Sequence, residues 1–105
     1  MRPQWVTDWL EALRSGKYAK GNYRLRKYNN FCCLGVLCEV QGVPAEVSVP
    51  TAGIYSYLGK IALFPPTLEE KLDLTTEFVD QLATTNDNTS TFDEVIKLIE
   101  EKYPE

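Results

Sequence analysis

Apolar positions recur at helical spacing near both ends of the chain and crowd together in its middle. Trp5, Val6, Trp9, Leu10 and Leu13 make one broad apolar face, which predicts a helix from about Pro3 to Ser15. Pro3 suits a first helical turn, where its missing N–H costs nothing, and Gly16 stands where a helix ends in a left-handed residue. From Lys17 to Asn30 the pattern turns basic and aromatic, punctuated by Gly and Asn. A short strand over Tyr23–Lys27, between turns at Gly21-Asn22 and Asn29-Asn30, is the expectation there. Phe31 to Val40 is the most apolar run. Gly42 and Pro44 beyond it are helix-stop signals and favour a buried helix, with Gly35 a site of close packing; a buried strand is the competing reading.

Between Val43 and Phe64, Pro and Gly alternate with β-branched and aromatic residues. Ile54–Leu58 and Lys60–Phe64 are expected to pair through a tight turn at Gly59-Lys60. The last third is helical. Pro65-Pro66 opens a short helix through Leu72, and Thr75 or Thr76 caps a second carrying Phe78, Val79 and Leu82. Thr84–Thr89 reads as a polar loop. Thr91-Phe92-Asp93-Glu94 matches a capping box, and Phe92, Val95, Ile96, Ile99 and Tyr103 then share one face. Together these elements predict one α+β domain spanning residues 1–105, with an N-terminal helix, a small antiparallel sheet, a buried central helix and C-terminal helices.

Composition sharpens this picture. A chain of 105 residues that is 44% hydrophobic and 25% charged has the makings of one globular core and argues against disorder. Histidine is absent, which excludes a Ser-His-Asp triad, a Cys-His pair and any histidine-containing metal site. The balance moves from catalysis towards binding, and no cofactor is expected. No apolar run approaches the roughly 20 residues needed to cross a bilayer, and the N-terminus lacks the apolar stretch of a signal peptide. The expected setting is cytoplasmic.

Charge is distributed unevenly. Residues 1–38 hold seven Lys or Arg and two acids, a net of +5; residues 39–105 hold four and thirteen, a net of -9. Between Ala12 and Cys38 lie Arg14, Lys17, Lys20, Arg24, Arg26 and Lys27 with no acid, interleaved with Tyr18, Tyr23 and Tyr28. Lys and Arg supply charge-assisted donors for phosphate, and tyrosine rings supply surfaces for stacking bases. Arg14, Lys17, Tyr18, Lys20, Tyr23, Arg24, Arg26 and Lys27 are therefore the candidate ligand-binding residues, with Gly21 letting a ligand approach the backbone. The competing reading is a solvated basic face that pairs with the acidic C-terminal third. A sequence pI near 4.8 disfavours extended nucleic acid and favours a small compact anion.

Other motifs read as structure. Cys32, Cys33 and Cys38 lack the paired spacing of a zinc site and are expected as buried small hydrophobes. Asn86-Asp87-Asn88 lacks the central Gly of a calcium loop and reads as a turn plus cap. Trp5 and Trp9 read as core.

Trp9-Leu10, Leu13-Arg14-Ser15-Gly16-Lys17-Tyr18, Leu25-Arg26 and above all Phe31-Cys32-Cys33-Leu34-Gly35-Val36-Leu37-Cys38 resemble a family of short bacteriophage and prophage proteins. Pro65-Pro66, Leu72-Asp73-Leu74, Asn86-Asp87 and the helix from Thr91 extend the resemblance over most of the chain. Lys20-Gly21 and Asn22-Tyr23 depart from the Gln-Gly pair and following Gly of the family, and Thr85 stands where a Leu often precedes Asn-Asp. The resemblance implies a phage accessory protein acting in a bacterial host cytoplasm. Two functions follow as expectations, with a small enzyme using Tyr, Lys or Asp, without a recognisable site, as a weaker third. One is sequestration of a small anionic, nucleotide-type ligand such as a host immune signal, in a pocket that a homo-oligomer would help complete. The other is inhibition of a host protein through the acidic C-terminal face.

Overall fold

The computed structural model describes residues 2–105. Helix α1, Gln4–Arg14, buries Val6, Trp9, Leu10 and Leu13 at the predicted spacing and is followed by Gly16 in the left-handed region. Helix α2, Cys33–Val40, is apolar apart from Glu39 in its last turn, and Cys33 through Cys38 are all buried. A helix without a polar face belongs in the centre of a fold, and α2 packs against both α1 and the later helix α4, Thr76–Asp87. The buried Trp9 indole donates to the Cys33 carbonyl at 2.9 Å, which fixes α1 against the first turn of α2. The helix reading of Phe31–Val40 thus prevails from Cys33 onward, while Phe31 belongs to a strand.

Gly35 explains how closely these pieces approach. A Cβ built there would lie 1.9 Å from the Leu25 carbonyl oxygen. The backbone around Leu25 crosses directly over α2, and its carbonyl accepts the Cys32 N–H at 3.2 Å.

The sheet has five short strands: β1 Ala19–Lys20, β2 Arg26–Lys27, β3 Asn30–Phe31, β4 Glu46–Val49 and β5 Ile54–Ser56, in the order β1-β3-β2-β5-β4. It is mixed rather than antiparallel, because β1 runs parallel to β3. That pairing needs Gly21, where a Cβ would meet the Asn30 Cβ at 3.0 Å. Gly21 therefore serves strand packing rather than ligand approach. The strand expected over Tyr23–Lys27 shrinks to Arg26–Lys27, and its turn falls on Tyr28-Asn29. The expected hairpin of Ile54–Leu58 with Lys60–Phe64 is replaced. Only Tyr57 and Lys60 bridge across the Gly59 turn, and β5 pairs instead with β2 and with β4. Leu25 takes up part of the freed segment by donating to the Ile61 carbonyl at 2.8 Å.

Cross-strand register sorts the side chains. Lys20, Phe31, Arg26 and Tyr55 lie in one row on the core-facing side, where Phe31 is buried; Val47, in register with Tyr55 on the edge strand, is exposed. Asn30, Lys27, Ile54 and Val49 form the next row, on the outer face.

Helix α3, Pro66–Leu72, buries Leu68 and Leu72; α5, Asp93–Lys102, buries Val95, Ile96 and Ile99. Thr75 caps α4 by accepting from the Phe78 N–H at 3.1 Å. Two expectations fail here. Thr84–Asp87 is helix rather than loop, since Asn86 continues the buried row of Phe78, Val79 and Leu82. The capping box does not close: Thr91 accepts from the Asp93 N–H, but Glu94 turns away to pair with Lys97. Among the described residues the buried hydrophobic side chains join one core. Among the described residues no helix is long and apolar enough to cross a membrane.

Candidate functional site

The eight predicted residues do not converge. Arg14, at the end of α1, pairs with Glu100 of α5 at 2.6 Å. This is the pairing with the acidic third that the competing reading foresaw, and as an exposed ion pair it contributes at most about 1 kcal/mol. Lys17 lies over the Tyr18 ring at 5.7 Å, and Tyr18 meets Phe31 edge-on at 5.0 Å. Lys20 donates to the Asn22 side chain and to the Asn86 carbonyl. Burial lowers the pKa of its ammonium, with nearby Asp87 acting in the opposite direction.

Arg26 is also committed. Its guanidinium sits 4.0 Å from the Tyr55 ring centre and 5.0 Å from that of Phe31, its neighbours in the core-side row. Nε donates to the Tyr28 carbonyl at 2.7 Å and Nη2 to Asn29 at 3.1 Å, closing the β2–β3 turn. A cation stacked on two rings and used for a turn is a framework element.

Tyr23, Arg24 and Lys27 remain. With Asn22 and Ile54 they line an open groove of about 330 Å³ on the outer side of the sheet, within the size range of small-molecule sites. Tyr23 is 65% exposed. Arg24 spends one donor on the Tyr23 carbonyl at 3.1 Å, while its Nε is buried with no hydrogen-bond partner in the protein. Among the described residues neither Arg24 nor Lys27 pairs with a carboxylate. Asp87, which shares a small cavity with Tyr23 and Arg24, is engaged in accepting the Tyr23 N–H at 2.9 Å. Behind Tyr23 and Arg24 a cavity of about 40 Å³, walled by Cys32, Leu34 and Asp87, has room for a water molecule and not for a nucleotide.

Arg14, Tyr18 and Lys20 line a second groove of about 370 Å³ against Ser90–Asp93. Its cations already have partners in Glu100 and Asn86. Asn22 and Ile54 were not expected in the site. Asn22 looked like turn chemistry, and Ile54 reaches the site only through its register with Lys27.

The cysteines are free and buried, as expected. Cys32 caps α2 and accepts from the Gly35 N–H at 3.4 Å. Burial outweighs that helix-end stabilisation and pushes its thiol up to about 11. Burial raises Cys33 and Cys38 as well. Neutral thiols are poor nucleophiles, and among the described residues no group of three or more His, Cys, Asp or Glu could hold a metal ion. A pH dependence follows. Between the ordinary thiol value of 9.0 and about 11, the unfolded chain loses the Cys32 proton while the folded protein keeps it. Stability is full below pH 9 and falls as pH rises through that window. Unfolding free energies from urea denaturation are expected to drop between pH 8 and 10.5, by about 2 kcal/mol from Cys32 alone, and Cys32→Ala should remove that share while those of Cys33 and Cys38 remain.

A family model described as a domain of unknown function (DUF8296) matches residues 1–49. The match takes in α1, α2, all eight predicted residues and the chain to the end of β4, and stops short of α3, α4 and α5. No curated protein and no solved structure matches the chain.

Proposed function

We propose that the protein binds a small nucleotide-type anion in the groove of Tyr23, Arg24 and Lys27 and holds it without converting it. The observation that carries this reading is Arg24: a groove-lining guanidinium that forms no ion pair with a carboxylate, next to an exposed aromatic ring. A phosphate in the groove would accept charge-assisted hydrogen bonds from the Nη donors of Arg24, and Lys27 would add a second positive charge. The Tyr23 ring would stack on a base. The resemblance to phage proteins supplies a purpose, which is to sequester a nucleotide signal of the host's defence.

The test is isothermal titration against adenine and guanine nucleotides and cyclic dinucleotides. One member of the panel is expected to bind. Arg24→Ala should weaken it by about 10- to 100-fold, the worth of a hydrogen bond to a charged group. Lys27→Ala should cost several-fold, and Lys17→Ala little, because Lys17 lies over Tyr18 away from the groove. A panel without a binder, or an Arg24→Ala variant that binds like the parent, would overturn the reading. Inhibition of a host protein through the acidic face makes the opposite forecast. Reversing Glu77 and Glu101, which line a groove between α4 and α5, would then abolish function while Arg24→Ala did not.

A further inference from the structure

Two tyrosines, not one, stand beside this groove in an unusual state. Tyr23 and Tyr28 both have left-handed backbones, with φ of 68° and 54°, and both are more than half exposed, at 65% and 55%. Bulky residues seldom accept positive φ, whereas Asn accepts it far more readily. An Asn is adjacent in each case, Asn22 before Tyr23 and Asn29 after Tyr28. The turns could have placed the easier residue at the strained position. What the chain keeps there instead is an outward aromatic side chain, an expensive choice for a solvated turn.

The second ring flanks the groove. Tyr28 follows Lys27 directly, and its N–H donates to the Gly53 carbonyl at 2.7 Å. Its ring packs on Gly53, where a Cβ would lie 2.4 Å from the ring carbons. Gly53 immediately precedes Ile54, the groove wall that pairs with Lys27. Tyr28 is thus one residue beyond the groove on both strands, with Tyr23 at the groove's other lining. Four residues of chain, five Cα-to-Cα steps, separate them and hold the two Cα atoms within about 17 Å. Arg24 and Lys27 lie between the two rings in sequence and line the same groove.

From this arrangement of ring, two cations and ring, we infer that the preferred ligand is a dinucleotide, one base stacking on Tyr23 and the other on Tyr28, with the connecting phosphate held by Arg24 and Lys27. The inference rests on the anion reading of the groove and adds the class of ligand. A longer strand would gain no further ring from this pair, and the overall charge of -4 opposes it.

The experiment compares AMP, the 5′-phosphorylated diadenylate pApA and the hexamer pA6 by titration calorimetry. pApA is expected to bind about tenfold tighter than AMP, the effect of one additional stacked base, and pA6 no tighter than pApA. Tyr28→Asn, which suits the left-handed backbone, should keep its melting temperature and erase the pApA advantage over AMP. Tyr28→Phe should retain that advantage. If AMP binds and pApA binds no tighter, the dinucleotide inference falls while the anion reading stands. An affinity that keeps rising to pA6 also overturns it, in favour of an extended strand. Binding of none of the three adenine probes, or a Tyr28→Asn variant with the full pApA advantage, rejects it as well; a binder elsewhere in the nucleotide panel would still leave the anion reading intact.

Discussion

Replacing Gly35 by alanine is expected to cost about 4 kcal/mol or more, enough to leave much of the protein unfolded at 37 °C given typical domain stabilities. The added Cβ would fall 1.9 Å from the Leu25 carbonyl oxygen, and the atoms it meets are backbone, with no side chain free to rotate away. Relief requires α2 to move away from the crossing segment. That movement breaks the Cys32 N–H bond to Leu25 and shifts Trp9 from the Cys33 carbonyl. Gly42→Ala is the comparison. Its φ is +75° but nothing lies within 4 Å, so it should cost only the left-handed backbone penalty of about 1 kcal/mol. Urea denaturation followed by circular dichroism checks both. A Gly35→Ala protein as stable as the Gly42→Ala one would mean that residue 25 does not cross α2 as described.

The helices were legible in the sequence wherever their apolar residues repeat, as in α1 and α5, or fill a whole segment, as in α2. The sheet was not. Its strands are two to four residues long, too short to show alternation, and their pairing is set by contacts distant in sequence. The parallel pairing of β1 with β3 depends on Gly21 approaching Asn30, which composition around a Gly-Asn pair disguises as a turn. The basic, tyrosine-rich segment was visible as a source of ligand chemistry, but not the division of labour within it. Arg26 and Arg24 are two residues apart and look interchangeable. Only the register shows that Arg26 falls beside Phe31 and Tyr55, whereas Arg24 lines the outer groove.

Asn86→Ala is expected to remove about 3 kcal/mol of stability and lower the melting temperature by roughly 20 °C. Asn86 is the one fully buried polar residue among those described. Its Oδ1 accepts the Cys33 N–H at 3.1 Å, and its Nδ2 donates to the Gly21 carbonyl at 2.9 Å. Its own carbonyl accepts the Lys20 ammonium. One side chain therefore ties the C-terminal helices to the start of α2 and to the segment leading into the groove. Alanine leaves two of those groups without partners, each at a cost of about 1–3 kcal/mol. Because the Gly21 tether also holds Tyr23 and Arg24 in place, ligand affinity should fall together with stability, even well below the melting temperature. Asp87→Asn separates the two effects. It retains an oxygen for the Tyr23 N–H and so should leave stability within about 0.5 kcal/mol. Removing the negative charge beside the groove should then tighten anion binding by about two- to fivefold at low salt. Thermal melts and titrations on the pair of variants decide the matter. If Asn86→Ala retained both stability and affinity, the Gly21–Arg24 segment would be held by something other than Asn86.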